Sequence, residues 1–365
     1  MRIALLTYST KPRGGVVHTL ALAEALTAAG QDVTVWTLGR GGETDFFRAV
    51  DPRVRRRIVP VPDGPPQETV GERVLRSIAA LRDAFDPRPY DVVHAQDCIT
   101  ANAAGRCVRT VHHIDHFTTP ELAACHEKAI TEPYAHLCVS AAVAAELADG
   151  WGIKAEVIPN GVAYDRFART HPTARARWRR RLGRYVLTVG GIEPRKGSLD
   201  LLEAYALLRT AAPDVRLVVA GGETLFDYRD YRARWDARAG ELAVDPIVLG
   251  PVPDADLPAL VAAADAFAFP SVKEGFGLAA MEALAAGVPL VVRDLPVLRE
   301  VFAPAARFAT DAGSLAAELA AALATDDPAR RAAGQRLAAK YTWAEAAHRH
   351  LAFYRALAGP GPTRE

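Results

Sequence analysis

Long apolar stretches are missing from this sequence. No run approaches the roughly 18 residues of a membrane-spanning helix, so no such span is expected. The start, MRIALLTYSTKPRGG, has four consecutive apolar residues after Arg2. That is too short for the core of a secretory signal. We expect a buried first strand there and a cytoplasmic protein. An excess of one charge is missing too. The 44 Lys+Arg and 43 Asp+Glu leave a net of +1, which gives no general reason to bind nucleic acid. Cysteine is scarce: Cys98, Cys107, Cys125 and Cys138 are the only four, and no two have CxxC spacing. Reduced thiols are expected. Lysine is scarce as well, six residues against 38 arginines. With the abundant alanine, this suggests a GC-rich bacterial coding sequence. Two phosphate-binding signatures are absent. No GxGxxG follows the first strand of either half, which argues against a nicotinamide or flavin dinucleotide. GxxxxGK[ST] does not occur, so P-loop chemistry is not indicated.

What remains reads as an ordinary globular chain, 50% hydrophobic and 24% charged. Its 365 residues suggest two domains. Short apolar runs at 3–7, 32–38, 91–96, 108–113, 135–140 and 155–161 alternate with helical patterns at 16–30 and 71–85. The same order restarts with a strand at 185–191, the loop IEPRKG (192–197) and a helix at 198–211. Strands at 215–222, 247–252, 266–271 and 288–294 follow, with helices at 254–265 and 278–287. Strands separated by helices predict parallel sheets covered on both faces. The fold class is therefore α/β, with two Rossmann-like doubly wound domains facing across a cleft. Ligands are expected at the carboxyl ends of the strands. The segment 162–183 reads as a basic, polar linker, and 341–357 as one long helix. The helix placed at 225–242 carries Tyr228, Tyr231 and Trp235 at 3–4 spacing, as core packing would.

Six of the ten histidines, His94, His112, His113, His116, His126 and His136, share one stretch with the four cysteines. The i,i+4 pair His112 and His116 invites a metal site. The paired ligand knuckles of structural zinc are missing, so the stretch reads as core thiols and surface imidazoles, with no metal.

The segment KEGFGLAAMEALAAG (273–287) carries the most chemistry. Glu274 and Glu282 bracket a Gly-Phe-Gly turn ahead of a helix opening near Leu278. The first amides of a helix lack internal partners and favour negative charge. Gly275 and Gly277 leave the backbone open to close approach. Carboxylates accept hydrogen bonds from sugar hydroxyls. The two acids could grip two polyols on either side of one diphosphate; one acid alone would also suit a helix N-terminus. Arg195 and Lys196, in IEPRKG, can neutralise a departing diphosphate; read alone, they are equally a solvated surface pair.

PNGV (159–162), the lysine of VGGIEPRKG and, above all, EGFGLAAMEALAAGVPLVV resemble the retaining GT-B glycosyltransferases of glycosyltransferase family 4 (glycosyl transferases group 1). The resemblance spans nearly the whole chain. It implies an acceptor-binding domain over 1–165, a nucleotide-sugar-binding domain over 183–340, and a helix at 341–358 returning to the first domain. It implies that Glu282 holds the donor's ribose and Glu274 the transferred sugar. The amides from Gly275 and Phe276 through Gly277 and Leu278 to Ala279 would hold sugar and phosphate. Lys196 would bind the diphosphate, Gly15 would approach it, and Val252 would line the base through its backbone. His112 resembles the family's histidine near the sugar; with Glu274 and Lys196 it makes the implied catalytic set. Two positions differ from the family pattern. Gly191 stands where an arginine is common, leaving Arg195 as the candidate second cation. His113 follows His112 where an aspartate is usual, with Asp115 two residues on.

The implied activity is metal-independent, retaining hexosyl transfer from a nucleoside-diphosphate sugar, with no cofactor beyond that donor. The acceptor would be a small molecule, a glycan or a lipid. Alternatives are a non-catalytic nucleotide-sugar binder or a GT-B-type epimerase. RVRRR (53–57) and Arg73, Arg76 and Arg82 could touch an anionic membrane. Yet residues 1–165 hold 17 Lys+Arg against 20 Asp+Glu, and the remainder 27 against 23. That balance does not support a membrane face on the first half.

Overall fold

The computed structural model describes residues 1–65, 67–115, 117, 119–222 and 228–358. The chain divides into two compact units. The first runs from Met1 to Gly161 and resumes at Tyr341; the second is Val162–Lys340.

The first unit has seven strands: β1 (Arg2–Leu6), β2 (Asp32–Arg40), β3 (Arg55–Val61), β4 (Val92–Ala95), β5 (Val108–Val111), β6 (Ala135–Cys138) and β7 (Glu156–Val157). All pairs are parallel, in the order β3-β2-β1-β4-β5-β6-β7. Strands buried on both faces explain the continuous apolar run IALL and the wholly buried VVHA. The order reverses at β1, so the loop after β1 stands at a switch point, where such sheets bind ligands. The Gly14–Ala28 helix packs Val16, Leu20 and Ala23 into the same core as Ala347, Leu351 and Tyr354 of the Trp343–Ala358 helix. A Cβ on Gly161 would stand 2.4 Å from the Trp343 nitrogen, so only glycine lets these two segments touch.

The second unit repeats the plan with β8 (Arg184–Val189), β9 (Val215–Ala220), β10 (Ile247–Gly250), β11 (Ala266–Phe269), β12 (Leu290–Arg293) and β13 (Arg307–Ala309). Its parallel order is β10-β9-β8-β11-β12-β13, reversing at β8. Each unit is thus a Rossmann-like doubly wound sheet.

Two basic segments carry elements that the sequence did not suggest. No strand was expected at RVRRR (53–57). Arg55, Arg56 and Arg57 open β3, an exposed edge strand whose arginines discourage further pairing. The basic linker is not a linker. It folds as helices Tyr164–Ala168 and Pro172–Leu182 of the second unit, anchored by buried Phe167 and Trp178. Arginine-rich helices of this kind hide one or two apolar anchors that the charge obscures. The expected 225–242 helix is described from Arg229 to Glu241, with Tyr231 and Trp235 buried. Residues 225–227 lie outside the described residues.

Candidate active site

In the second unit, the loops after β8 and β11 are laced together. The loop after β8 contains the 3-10 turn Pro194–Lys196, closed by Gly197 at φ 62°. A Cβ at Gly197 would stand 2.3 Å from the Pro270 carbonyl oxygen, so glycine is required for this approach. The Val272 amide donates to the Arg195 carbonyl at 2.9 Å. These contacts bring together three of the expected residues. Lys196 Nζ lies 2.5 Å from Glu274 Oε1, and Arg195 Nη1 lies 3.1 Å from the same oxygen. Arg195 Nη2 also donates to Glu193 Oε1 at 3.2 Å.

Lys196 is held 5.1 Å above the Phe269 ring. Burial lowers its pKa, while the Glu274 carboxylate opposes that fall. The site therefore balances two cations against two carboxylates. Charges this buried are tolerated because each has a partner. Gly190, Gly191, Lys196, Phe269, Pro270 and Ser271 line a hollow beside them. The Ser271 hydroxyl is buried there without a hydrogen-bond partner among the described residues.

The Leu278–Ala285 helix starts directly after Gly277 (φ 95°) with no side-chain cap. Its first amides are open to a ligand. Gly275, Phe276 and Gly277 are buried, whereas Leu278 and Ala279 are partly exposed. Glu282 lies one turn on and does not join the cation cluster. Its carboxyl makes no hydrogen bond among the described residues. Burial pushes its pKa up to about 8, with Arg166 opposing and Asp254 adding. Arg166 and Asp254 pair with each other at 2.7 Å. Val252 is partly exposed just beyond β10.

In the first unit, Gly15 and His112 come together. A Cβ on Gly15 would lie 3.9 Å from the imidazole. His112 Nε2 is 3.2 Å from Gln96 Oε1, and its ring meets that of His18 edge-on at 4.8 Å. His113 turns instead to Asp115, at 3.2 Å. Burial, then the neighbouring His18 and Arg109, holds the His112 pKa well below the usual histidine range.

The Cys/His stretch lies largely in the core. Cys107 and Cys138 are buried, and Cys98 donates to the Cys125 carbonyl at 3.2 Å. Burial pushes the Cys98 thiol up to about 12 and Cys107 to about 11, so both stay protonated. Among the described residues, no three His, Cys, Asp or Glu side chains group as metal ligands. His116 lies outside the described residues.

Sequence reading missed Glu193, Gln96, Arg166 and Asp254. Glu193 stood within IEPRKG and could have been noticed as the charge that occupies Arg195. The other three carry no local signal.

The family model "Glycosyl transferases group 1" matches residues 174–337, and "Glycosyltransferase Family 4" matches 12–166. The phosphatidyl-myo-inositol mannosyltransferase of Mycobacterium tuberculosis (strain ATCC 25618 / H37Rv) is 30% identical, over 99% of this chain and 98% of that protein. The D-inositol 3-phosphate glycosyltransferase of Pseudarthrobacter chlorophenolicus is 29% identical, over 90% and 88%. Among solved structures, sucrose-phosphate synthase from Thermosynechococcus elongatus superposes with a TM-score of 0.80 at 21% identity, covering 98% of both chains. Anabaena HepE in complex with UDP-glucose gives 0.75 at 19%, covering 97% of this chain and 99% of that one. These structural likenesses establish the GT-B fold.

Proposed function

This chain belongs to glycosyltransferase family 4, the glycosyl transferases of group 1, and from that membership we propose a retaining, metal-independent hexosyltransferase. Its donor is a nucleoside-diphosphate sugar, with no further cofactor. Its acceptor is a hydroxyl on a small molecule, glycan or lipid. The relatives are named for a phosphatidyl-inositol lipid and an inositol phosphate. No nucleic acid partner is proposed, and the protein is placed in the cytoplasm. No helix among the described residues is long and apolar enough to cross a membrane.

The meeting of Lys196, Arg195 and Glu274 at the carboxyl ends of β8 and β11 carries this reading. Before the donor arrives, the cations are neutralised by Glu274 and Glu193. An incoming diphosphate offers Lys196 a stronger acceptor, freeing Glu274 to accept from a hydroxyl of the transferred sugar. The pair thus keeps both groups in position at little reorganisation cost. The amides from Gly275 to Ala279 hold the phosphate and sugar. Glu282, whose carboxyl makes no hydrogen bond among the described residues, receives the ribose hydroxyls, and Val252 lines the base. Gly15 and the neutral His112 are the first unit's contribution to the diphosphate and sugar. As the anomeric carbon–oxygen bond breaks, the acceptor oxygen bonds to that carbon from the same face. Its proton passes to the departing phosphate oxygen, and configuration is retained.

Thermal shifts with UDP, GDP, ADP and their sugars test the donor. Ligand at 100 times its dissociation constant adds about 2.7 kcal/mol of stability. Glu282→Ala should weaken nucleotide binding by roughly tenfold or more. Glu274→Ala should abolish most transfer while nucleoside diphosphate still binds. If no nucleotide shifts the melting temperature, the reading is wrong.

A further inference from the structure

Arg40 ends β2 at the carboxyl edge of the first sheet. It makes no ion pair among the described residues. Its Nη2 donates to Ser77 Oγ at 2.8 Å, and its Nε is buried with no acceptor. Ser77 supplies no counter-charge, since its hydroxyl donates in turn to the Arg73 carbonyl at 2.6 Å. Two more guanidinium groups act on Arg40. Arg73 and Arg76 project from the Val70–Ala84 helix, on one face with Ser77 by their three- and four-residue spacing.

Burial, Arg73 and Arg76 lower the Arg40 pKa; Tyr8 and Glu68 oppose them. Glu68 is already committed. Arg76 grips it with two bonds, Nε to Oε1 at 2.6 Å and Nη2 to Oε2 at 2.9 Å. Asp63 acts on Arg76 but is exposed, and Glu72 is occupied in the helix cap with Thr69. Arg40 therefore keeps no carboxylate of its own among the described residues, since Glu68, the acid that opposes the fall of its pKa, is committed to Arg76. A partly buried guanidinium without a counter-ion is costly, and its planar fork fits phosphate oxygens. The location suits a ligand as well. Tyr8 stands two residues past β1, Arg40 ends β2 and His112 follows β5, all at the ligand-binding edge of the sheet.

We propose that Arg40, with Arg73 and Arg76, forms an anion site in the first unit that receives a phosphate group carried by the acceptor. The inference rests on reading this unit as the acceptor-binding half. A free polyol phosphate and a lipid headgroup share the required chemistry.

Calorimetric titration with inorganic phosphate, in saturating UDP to fill the diphosphate subsite, tests the first source. Sedimentation with phosphatidylcholine vesicles containing phosphatidylglycerol tests the second. Arg40→Gln should weaken binding by about tenfold or more, the loss of a charge-assisted bond. Arg40→Lys, which keeps the charge without the fork, should fall between. If the melting curve shows that Arg40→Gln does not fold, Arg73→Gln should give the same loss. Arginine-dependent binding of inorganic phosphate assigns a soluble phosphate ester. Arginine-dependent binding to the anionic vesicles alone assigns a lipid headgroup. Binding of neither probe, or binding that both glutamine variants leave intact, overturns the site. UDP titration of the same wild-type sample reports separately on the donor reading. Uptake of UDP without arginine-dependent phosphate binding removes the anion site and leaves the transferase; the reverse removes the transferase and keeps the anion site.

Discussion

At Gly277 the backbone turns through φ 95° immediately before the helix bearing Glu282. A Cβ there would stand 3.0 Å from the Phe302 ring and 3.2 Å from that of Phe269. Gly277→Ala should therefore cost about 1–2 kcal/mol from the left-handed conformation alone, with the ring contacts adding to it. Thermal melts check this; an unchanged melting temperature would show that the turn relaxes freely. At this scale much of the site was legible. Helix-opening glycines, two acids and a cation pair are local patterns, and each was read from adjacent residues. The pairing of Lys196 with Glu274 was not legible. The two are separated by 78 positions, and the sequence alone suggested separate roles. Only the close approach at Gly197, where one loop backs onto the next, brings them together.

The elements of the first unit enclose an unusual set of imidazoles. His18 and His350 stand 6.3 Å apart by ring centroid, His94 and His350 5.8 Å, and His18 meets His112. They come from a helix, two strand ends and the last helix. His94 is satisfied by Tyr354 at 2.6 Å and Thr110 at 2.7 Å. Burial, aided by His350, lowers His18 to about 3; burial also lowers His350 to about 4. His94 and His112 lie well below the ordinary 6.5. A folded pKa below the unfolded value means that the unfolded chain takes up protons first. The stabilisation is thus full above pH 6.5 and is lost as pH falls toward the folded values. Each group can contribute up to about 1.4 kcal/mol per pH unit. Asp97, raised by burial to about 6, and Glu282, raised by burial to about 8, work in the opposite direction, but they are two carboxyls against four imidazoles. Denaturant melts from pH 7.5 to 5 should show stability falling steadily below about pH 6.5. A flat profile would show that the cluster opens to solvent at no cost. At this scale, legibility followed burial. Strands with apolar runs were found. β3 was hidden because an edge strand needs no apolar face, and the Pro172–Leu182 helix because only Trp178 and Leu182 anchor it.

The whole chain joins one contiguous unit to one discontinuous unit. Residues 162–340 hold a complete six-stranded sheet with its own core. Expressed alone, this segment should melt cooperatively and still bind the nucleoside diphosphate; failure to fold would show that it depends on the rest of the chain. Residues 1–161 alone should behave differently. They lack Leu351 and Tyr354, buried in the shared core. Losing two such side chains removes roughly 1.5–3 kcal/mol each, a large share of a domain's typical 5–15 kcal/mol. Far-UV circular dichroism and urea melts of both fragments check the asymmetry. The doubly wound plan was legible because it repeats within the sequence. The discontinuity rests on one amphipathic helix whose apolar face matches a partner more than 300 residues earlier.

The return of that helix also sets an order in time. As the chain leaves the ribosome, the first unit is made first but cannot be finished first. Val16, Leu20 and Ala23 wait for Ala347, Leu351 and Tyr354 while the second unit is synthesised and folds. The first unit is therefore sealed by a helix that is made after the second unit. A nascent chain halted after residue 157 and before residue 343 carries the first sheet beside an open apolar groove, the surface that a chaperone would hold.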